Sequence, residues 1–94
     1  MSKYKIVTSN KFEKSVKLCI KRGYDMRRLA QVVNLLEETG AQLPAKYKQH
    51  KLTGNYAGCW ECHIQPDWLL VWRQNDTELI LLFVDTGTHS DIFK

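Results

Sequence analysis

Three histidines, His50, His63 and His89, together with Asp67 between the last two, define the chemistry open to this chain. An imidazole, with an ordinary pKa of roughly 6.5, gives or takes a proton near neutral pH, and a neighbouring carboxylate orients it or acts as a base. Cleavage of RNA through its own 2′-hydroxyl, without a metal, needs that inventory. A base removes the 2′-OH proton, the oxygen attacks the adjacent phosphorus in line, and an acid protonates the departing 5′-oxygen. Cations or hydrogen-bond donors stabilise the charged phosphorane between those steps.

A second motif competes for His63. Cys59-Trp60-Glu61-Cys62-His63 reads as C-x-x-C-H, a pattern of haem attachment, and C-x-x-C also suggests zinc or a redox pair. In a strand, however, residues i and i+3 point to opposite faces, so Cys59 and Cys62 cannot easily share a ligand. The chain has no second C-x-x-C to complete a zinc site. Cys62 is therefore expected to be a small buried hydrophobe, and no metal or other cofactor is expected.

The elements that must position these residues are legible in part. Tyr4–Thr8 alternates and reads as a first strand. Ser9 or Asn10 offers an N-cap, with Glu13 three residues after Asn10, and Phe12, Val16, Cys19 and Ile20 recur at helical spacing over 10–22. Gly23 ends that helix and Asp25 caps a second, whose stripe of Met26, Leu29, Val32, Val33 and Leu36 stops near Gly40. The short link implies an antiparallel helical hairpin. Residues 41–55 form a long polar connection carrying His50. Three β-like runs follow, about 56–64, 68–73 and 78–85, joined by short turns into an antiparallel meander. The last two are nearly continuous in apolar residues, so both their faces need cover: the hairpin on one side, and a groove or a partner on the other.

An antiparallel meander brings the end of its first strand, the start of its second and the end of its third to one edge of the sheet. His63, Asp67 and His89 must converge there, and His50 joins them if the long connection folds back. Trp60 and Trp72 read as core. Trp68 beside Asp67 and Phe93 beside His89 stand where a base could stack, which contributes about 1–3 kcal/mol per base.

Ninety-four residues make one domain, 1–94, with a modest core. The net charge of +4 divides unevenly. Residues 1–51 carry 12 positive and 4 negative side chains, and residues 52–94 carry 2 and 6. The net charge permits a polyanionic partner without demanding one, and the first half carries the charge that would hold it. No segment is apolar for the ~18–20 residues of a membrane span, and the N-terminal residues lack a signal-peptide core. A cytoplasmic location, with the three cysteines kept as thiols, follows as the expectation.

The stretches Lys21-Arg22-Gly23, Tyr47-Lys48-Gln49-His50-Lys51-Leu52, His63-Ile64-Gln65-Pro66-Asp67-Trp68 and Thr86-Gly87-Thr88-His89-Ser90-Asp91-Ile92-Phe93 resemble, in order, the YafQ branch of the RelE-like bacterial toxins. The resemblance implies an α+β RelE-like fold: an N-terminal strand, then an antiparallel two-helix hairpin packed on one face of a mainly antiparallel sheet of about four strands. It implies an mRNA endoribonuclease that acts at the ribosomal A site and arrests translation. A cognate antitoxin would neutralise it, with operator DNA reached only through that antitoxin, and no membrane is involved. Carried over by position, His50, His63, Asp67 and His89 are the catalytic residues: His89 the acid, Asp67 or His50 the base, His63 a phosphate-positioning group. Trp68, Phe93, Arg73 and Lys51 are the expected substrate contacts.

One position departs from the family. Asp85 stands before the TGTH motif where an arginine is usual, and a carboxylate there would repel a scissile phosphate. Either Arg73 or a lysine substitutes, or the chain is a weakened toxin acting mainly through its antitoxin complex, or Asp85 serves another role such as acting on His89.

Overall fold

The computed structural model describes residues 2–93. Its elements are β1 (Lys5–Thr8), α1 (Asn10–Lys21), α2 (Met26–Thr39), β2 (His50–Lys51), β3 (Cys59–Gln65), β4 (Trp68–Asn75), β5 (Ile80–Gly87) and α3 (His89–Ile92), with 3-10 turns at Ala45–Tyr47 and Gly54–Tyr56. Ser9, rather than Asn10, caps α1, its hydroxyl accepting the Phe12 N–H at 3.0 Å, while Glu13 turns back to the Thr8 hydroxyl. Asp25 caps α2 through the Arg27 N–H as expected.

The sheet has five strands in the order β1-β5-β4-β3-β2, not about four. β1 lies parallel to β5, and the other pairings are antiparallel. The additional strand is β2, only two residues long, inside the connection that reads as irregular; so short a strand has no periodicity to detect. Of the two helices, α1 rests chiefly on β5 and α2 on β3, and both feed the same core cluster.

β3 and β5 each begin later than their sequence runs, because the Gly54–Tyr56 turn and a tight turn before Ile80 occupy those residues. Thr86 and Gly87 therefore belong to β5.

Trp68 to Trp72 are buried without interruption, as a central strand covered on both faces requires. On one face Trp68, Leu70 and Trp72 pack with Phe12, Leu29, Val32 and Leu36 of the helices. On the other, Cys59, Leu69 and Val71 are roofed by Leu52, Tyr56 and Ile92 of the same chain, so part of the cover expected from a partner comes from the connection and α3. No helix of the described residues is long and apolar enough to cross a membrane.

α2 ends at Gly40, with φ +65°, against the Tyr4 ring and the Gln74 amide. A Cβ there would lie 2.8 Å from a Tyr4 ring carbon, and the φ is one that L-residues adopt at a cost. Gly40→Ala is expected to destabilise the fold by about 1–3 kcal/mol. An unchanged denaturation midpoint would show that the α2–β1 junction yields freely.

Candidate active site

Four elements deliver the expected residues to one end of the sheet. His63 lies near the end of β3, immediately before a bulge, and Asp67 in the turn that follows. His50 on β2 pairs in register with Glu61 on β3. His89 opens α3, whose N-cap Thr88 forms a reciprocal capping box with Asp91. The carboxylate reaches the cap because Gly87 has no Cβ; one there would lie 2.8 Å from Asp91 Oδ2. Arg22, at the end of α1, then grips Asp91 with both terminal nitrogens at 2.6 and 3.2 Å, so the first helix clamps the helix that carries His89.

Asp67 Oδ1 accepts from His89 Nδ1 at 2.7 Å and from the His89 backbone N–H at 3.1 Å. These bonds hold the Asp67 carboxyl below its ordinary range, the imidazole contact being the larger cause. With Nδ1–H donated to the carboxylate, Nε2 of His89 is the nitrogen left to exchange a proton with a substrate. His63 and His50 are anchored alike through Nδ1, to the carbonyl oxygens of Pro66 at 3.2 Å and Lys48 at 3.0 Å. The rings form a ladder across the sheet end, with centroid separations of 6.4 Å (His50–His63), 5.8 Å (His63–His89), 6.3 Å (His89–Phe93) and 5.3 Å (Phe93–Tyr56).

Two carboxylates that sequence reasoning gave no site role complete this picture. Asp91 is the clamp just described. Glu61, buried beneath the imidazoles, places Oε1 3.3 Å from His50 Nε2 and 3.6 Å from His63 Nε2. Its i, i+2 relation to His63 within a strand was the available signal, obscured because Glu61 also sits inside the C-x-x-C-H string.

Three of the expected substrate contacts lie elsewhere. Trp68 is 2% exposed, with its ring against Tyr24 and its indole N–H donated to Thr86 Oγ1 at 3.0 Å, so it offers no face to a base. Its place is inside, tying β4 to β5. Arg73 is five residues along β4 from Trp68, about 16 Å away at a strand's rise, beside Gly58. Lys51 lays its ammonium over the Trp60 ring, 5.4 Å from the centroid, and alternates away from His50. Phe93 remains exposed, between His89 and Tyr56 in the ladder. Beside His63, the cations Arg28, Lys46 and Lys48 line, with it and Pro66, a depression of about 290 Å³. A second depression, of about 770 Å³, lies on the Phe93 side and is lined by Lys11, Asn55, Tyr56 and Phe93 among others.

Asp85 does not face the imidazoles. One extra residue on β5, Val84, interrupts the pairing with β4 and forms a bulge, and bulges re-aim side chains. Asp85 is buried against α1, accepting from Ser15 Oγ at 2.5 Å and its neighbour's Thr86 N–H at 2.9 Å, with Lys11 Nζ 3.4 Å away. Arg73 stands beside Gly58, and the partners of Asp85 among the described residues do not include His89.

Cys59 and Cys62 belong to the two core clusters on opposite faces of the sheet. Burial, with the charge of Glu61 adding to it, pushes the Cys62 thiol up to about 12. Among the described residues no three His, Cys, Asp or Glu side chains are grouped to hold a metal ion.

This site joins a carboxylate-oriented imidazole to two further imidazoles beside a cluster of cations, the equipment of an acid–base enzyme working on an anion. Residues 4–94 match the family described as bacterial toxin of type II toxin–antitoxin system, YafQ, and the chain belongs to that family. It is 40% identical over 85 residues, 90% of each chain, to the mRNA interferase toxin YafQ of Escherichia coli K12. The crystal structure of YafQ from E. coli BL21(DE3) superposes with a TM-score of 0.89 at 37% identity, covering 97% of this chain and 99% of that one. YafQ in the E. coli DinJ–YafQ toxin–antitoxin complex superposes at 0.88 with 38% identity, covering 98% and 99%.

The Arg22 guanidinium, followed by the Thr88 N–H, holds the Asp91 carboxyl well below the usual carboxylate range. A carboxyl lowered by folding adds stability above its unfolded value of about 3.9, and that stability is lost as pH falls through the folded value. Arg22→Ala is expected to lower the melting temperature at neutral pH, with the gap to wild type closing in strong acid. A gap independent of pH would rule out the clamp as its cause.

Proposed function

We propose that this chain is an mRNA interferase: an endoribonuclease that cuts ribosome-bound mRNA in the cytoplasm, arrests translation and is silenced by a cognate antitoxin. The observation that carries the reading is the opposition of the Asp67-oriented His89 to His63 and His50 across one open sheet end. His50 or His63 takes the 2′-OH proton at Nε2. The freed oxygen attacks phosphorus, and the P–O5′ bond breaks as His89 Nε2 gives its proton to O5′. A 2′,3′-cyclic phosphate and a 5′-hydroxyl result. Asp67 is the acid's orienting partner, since both its contacts go to His89, and the base falls to a histidine. Arg28, Lys46 and Lys48 offset charge on the phosphorane, and Phe93 offers a face to a base.

Asp85 gives no support to the alternative of a weakened toxin acting only through its antitoxin complex. Its carboxylate is occupied by Ser15 and Lys11, away from the phosphate path. The excess of positive charge in residues 1–51 suits both rRNA and an acidic antitoxin segment.

His89→Ala is expected to lower cleavage of ribosome-bound mRNA by about 10²–10⁴-fold, and activity like wild type would sink the acid assignment. Asp85→Arg, which sets a cation beside Lys11 and strips Ser15 of its acceptor, is expected to cost about 1–3 kcal/mol of stability and to bring no gain in cleavage. A faster enzyme would show that the family's arginine position still reaches the phosphate here.

A further inference from the structure

We propose that Glu61 is a positioning residue for the base, the shared counter-charge for whichever imidazole, His50 or His63, takes the substrate's proton. The proposal rests on the acid–base reading above and deepens it. β3 alternation puts Glu61 on the face of His63, two residues on, and the β2–β3 register sets His50 directly across from it. One oxygen, Oε1, therefore lies within ion-pair distance of both Nε2 atoms.

Three features mark this carboxylate as more than a structural group. It is 3% exposed, and among the described residues its ion-pair partners are the two imidazoles alone. Its second oxygen, Oε2, is buried with no hydrogen-bond partner. A buried carboxylate so poorly satisfied is a liability to folding, and an apolar residue in its place would remove the penalty. Last, its contacts of 3.3 and 3.6 Å are looser than the 2.7 Å bond between His89 and Asp67, so each Nε2 can still accept a proton from a substrate.

The Nδ1 atoms of both rings donate to carbonyl oxygens, which only accept, so Nε2 is the nitrogen that gains the proton. As the 2′-OH proton moves there, the new positive charge forms beside a fixed negative charge in a poorly solvated site, where such attraction is strong. The proton given to O5′ still comes from His89. Two rings served by one carboxylate behave as a coupled pair, whereas His89 has its own carboxylate, Asp67.

Glu61→Gln tests this, as it keeps the shape and removes the charge. In the free protein the imidazole nitrogen and carbon NMR signals of His50 and His63 are expected to shift together, with those of His89 in place and the amide spectrum native. On programmed ribosomes, single-turnover cleavage is expected to fall about 10–100-fold, with KM little changed and the pH–rate profile displaced. Glu61→Asp, which retains the charge, is expected to restore part of the rate. Unmoved His50 and His63 signals, a shift confined to one ring, or cleavage by Glu61→Gln equal to wild type would each overturn the proposal. Should Glu61→Gln fail to fold, Glu61→Asp carries the test: coupled shifts of the two rings support the proposal, and independent ones overturn it. A wild-type chain that cuts no mRNA would instead defeat the ribonuclease reading, and the imidazole spectra would still decide whether Glu61 couples the rings.

Discussion

The buried hydrogen bond from the Trp68 indole to the Thr86 hydroxyl, passed on to the Leu69 carbonyl at 2.6 Å, fixes the start of β4 against the end of β5. Both protein groups are satisfied without water, in a core where an unpaired indole or hydroxyl would be costly. Two of the reactive side chains, Asp67 and His89, hang from those two strand ends. Asp67 immediately precedes Trp68, and His89 follows Thr86 by three residues, so one bond sets the separation of the orienting carboxylate from the imidazole it orients. The Arg22–Asp91 clamp and the capping box then complete the orientation from the other side of α3. A tryptophan that looked like a substrate platform is the anchor of the site.

Asp85 shows how a family position can be reused. Here a bulge at Val84 and the end of β1 pairing at Phe83 leave the outer edge of β5 to Ser9 and α1, and Asp85 becomes the anchor for Ser15 and Lys11. Lys11 in turn reaches the Tyr56 hydroxyl at 3.5 Å, at the rim of the second depression. Positive charge near the imidazoles comes instead from α2 and from the connection before β2, the half of the chain in which the basic residues are concentrated.

Much of the fold was legible because it rests on local rules. The cap at Asp25, the choice of Ser9 or Asn10 for α1, the apolar stripe of α2 and that of α1 apart from the exposed Ile20, and the three meander strands follow from spacing and turn chemistry. The meander alone was enough to bring His63, Asp67 and His89 to one edge. The two-residue β2, the bulges after His63 and at Val84, and the four-residue α3 were not legible. Each is held by a pairing or cap whose partner is distant in sequence or too short to have a period.

By itself, then, the sequence determined the family, the convergence of the three sheet-end residues and the opposite charge of the two halves, since these depend on residue type, order and strand alternation. Only the tertiary structure decided which carboxylate serves which imidazole, that Trp68 faces inward, that Arg73 and Lys51 stand away, and that Glu61 lies beneath two histidines. Those outcomes turn on register and on burial. A shift of one residue in either strand would send the same side chains to the opposite face.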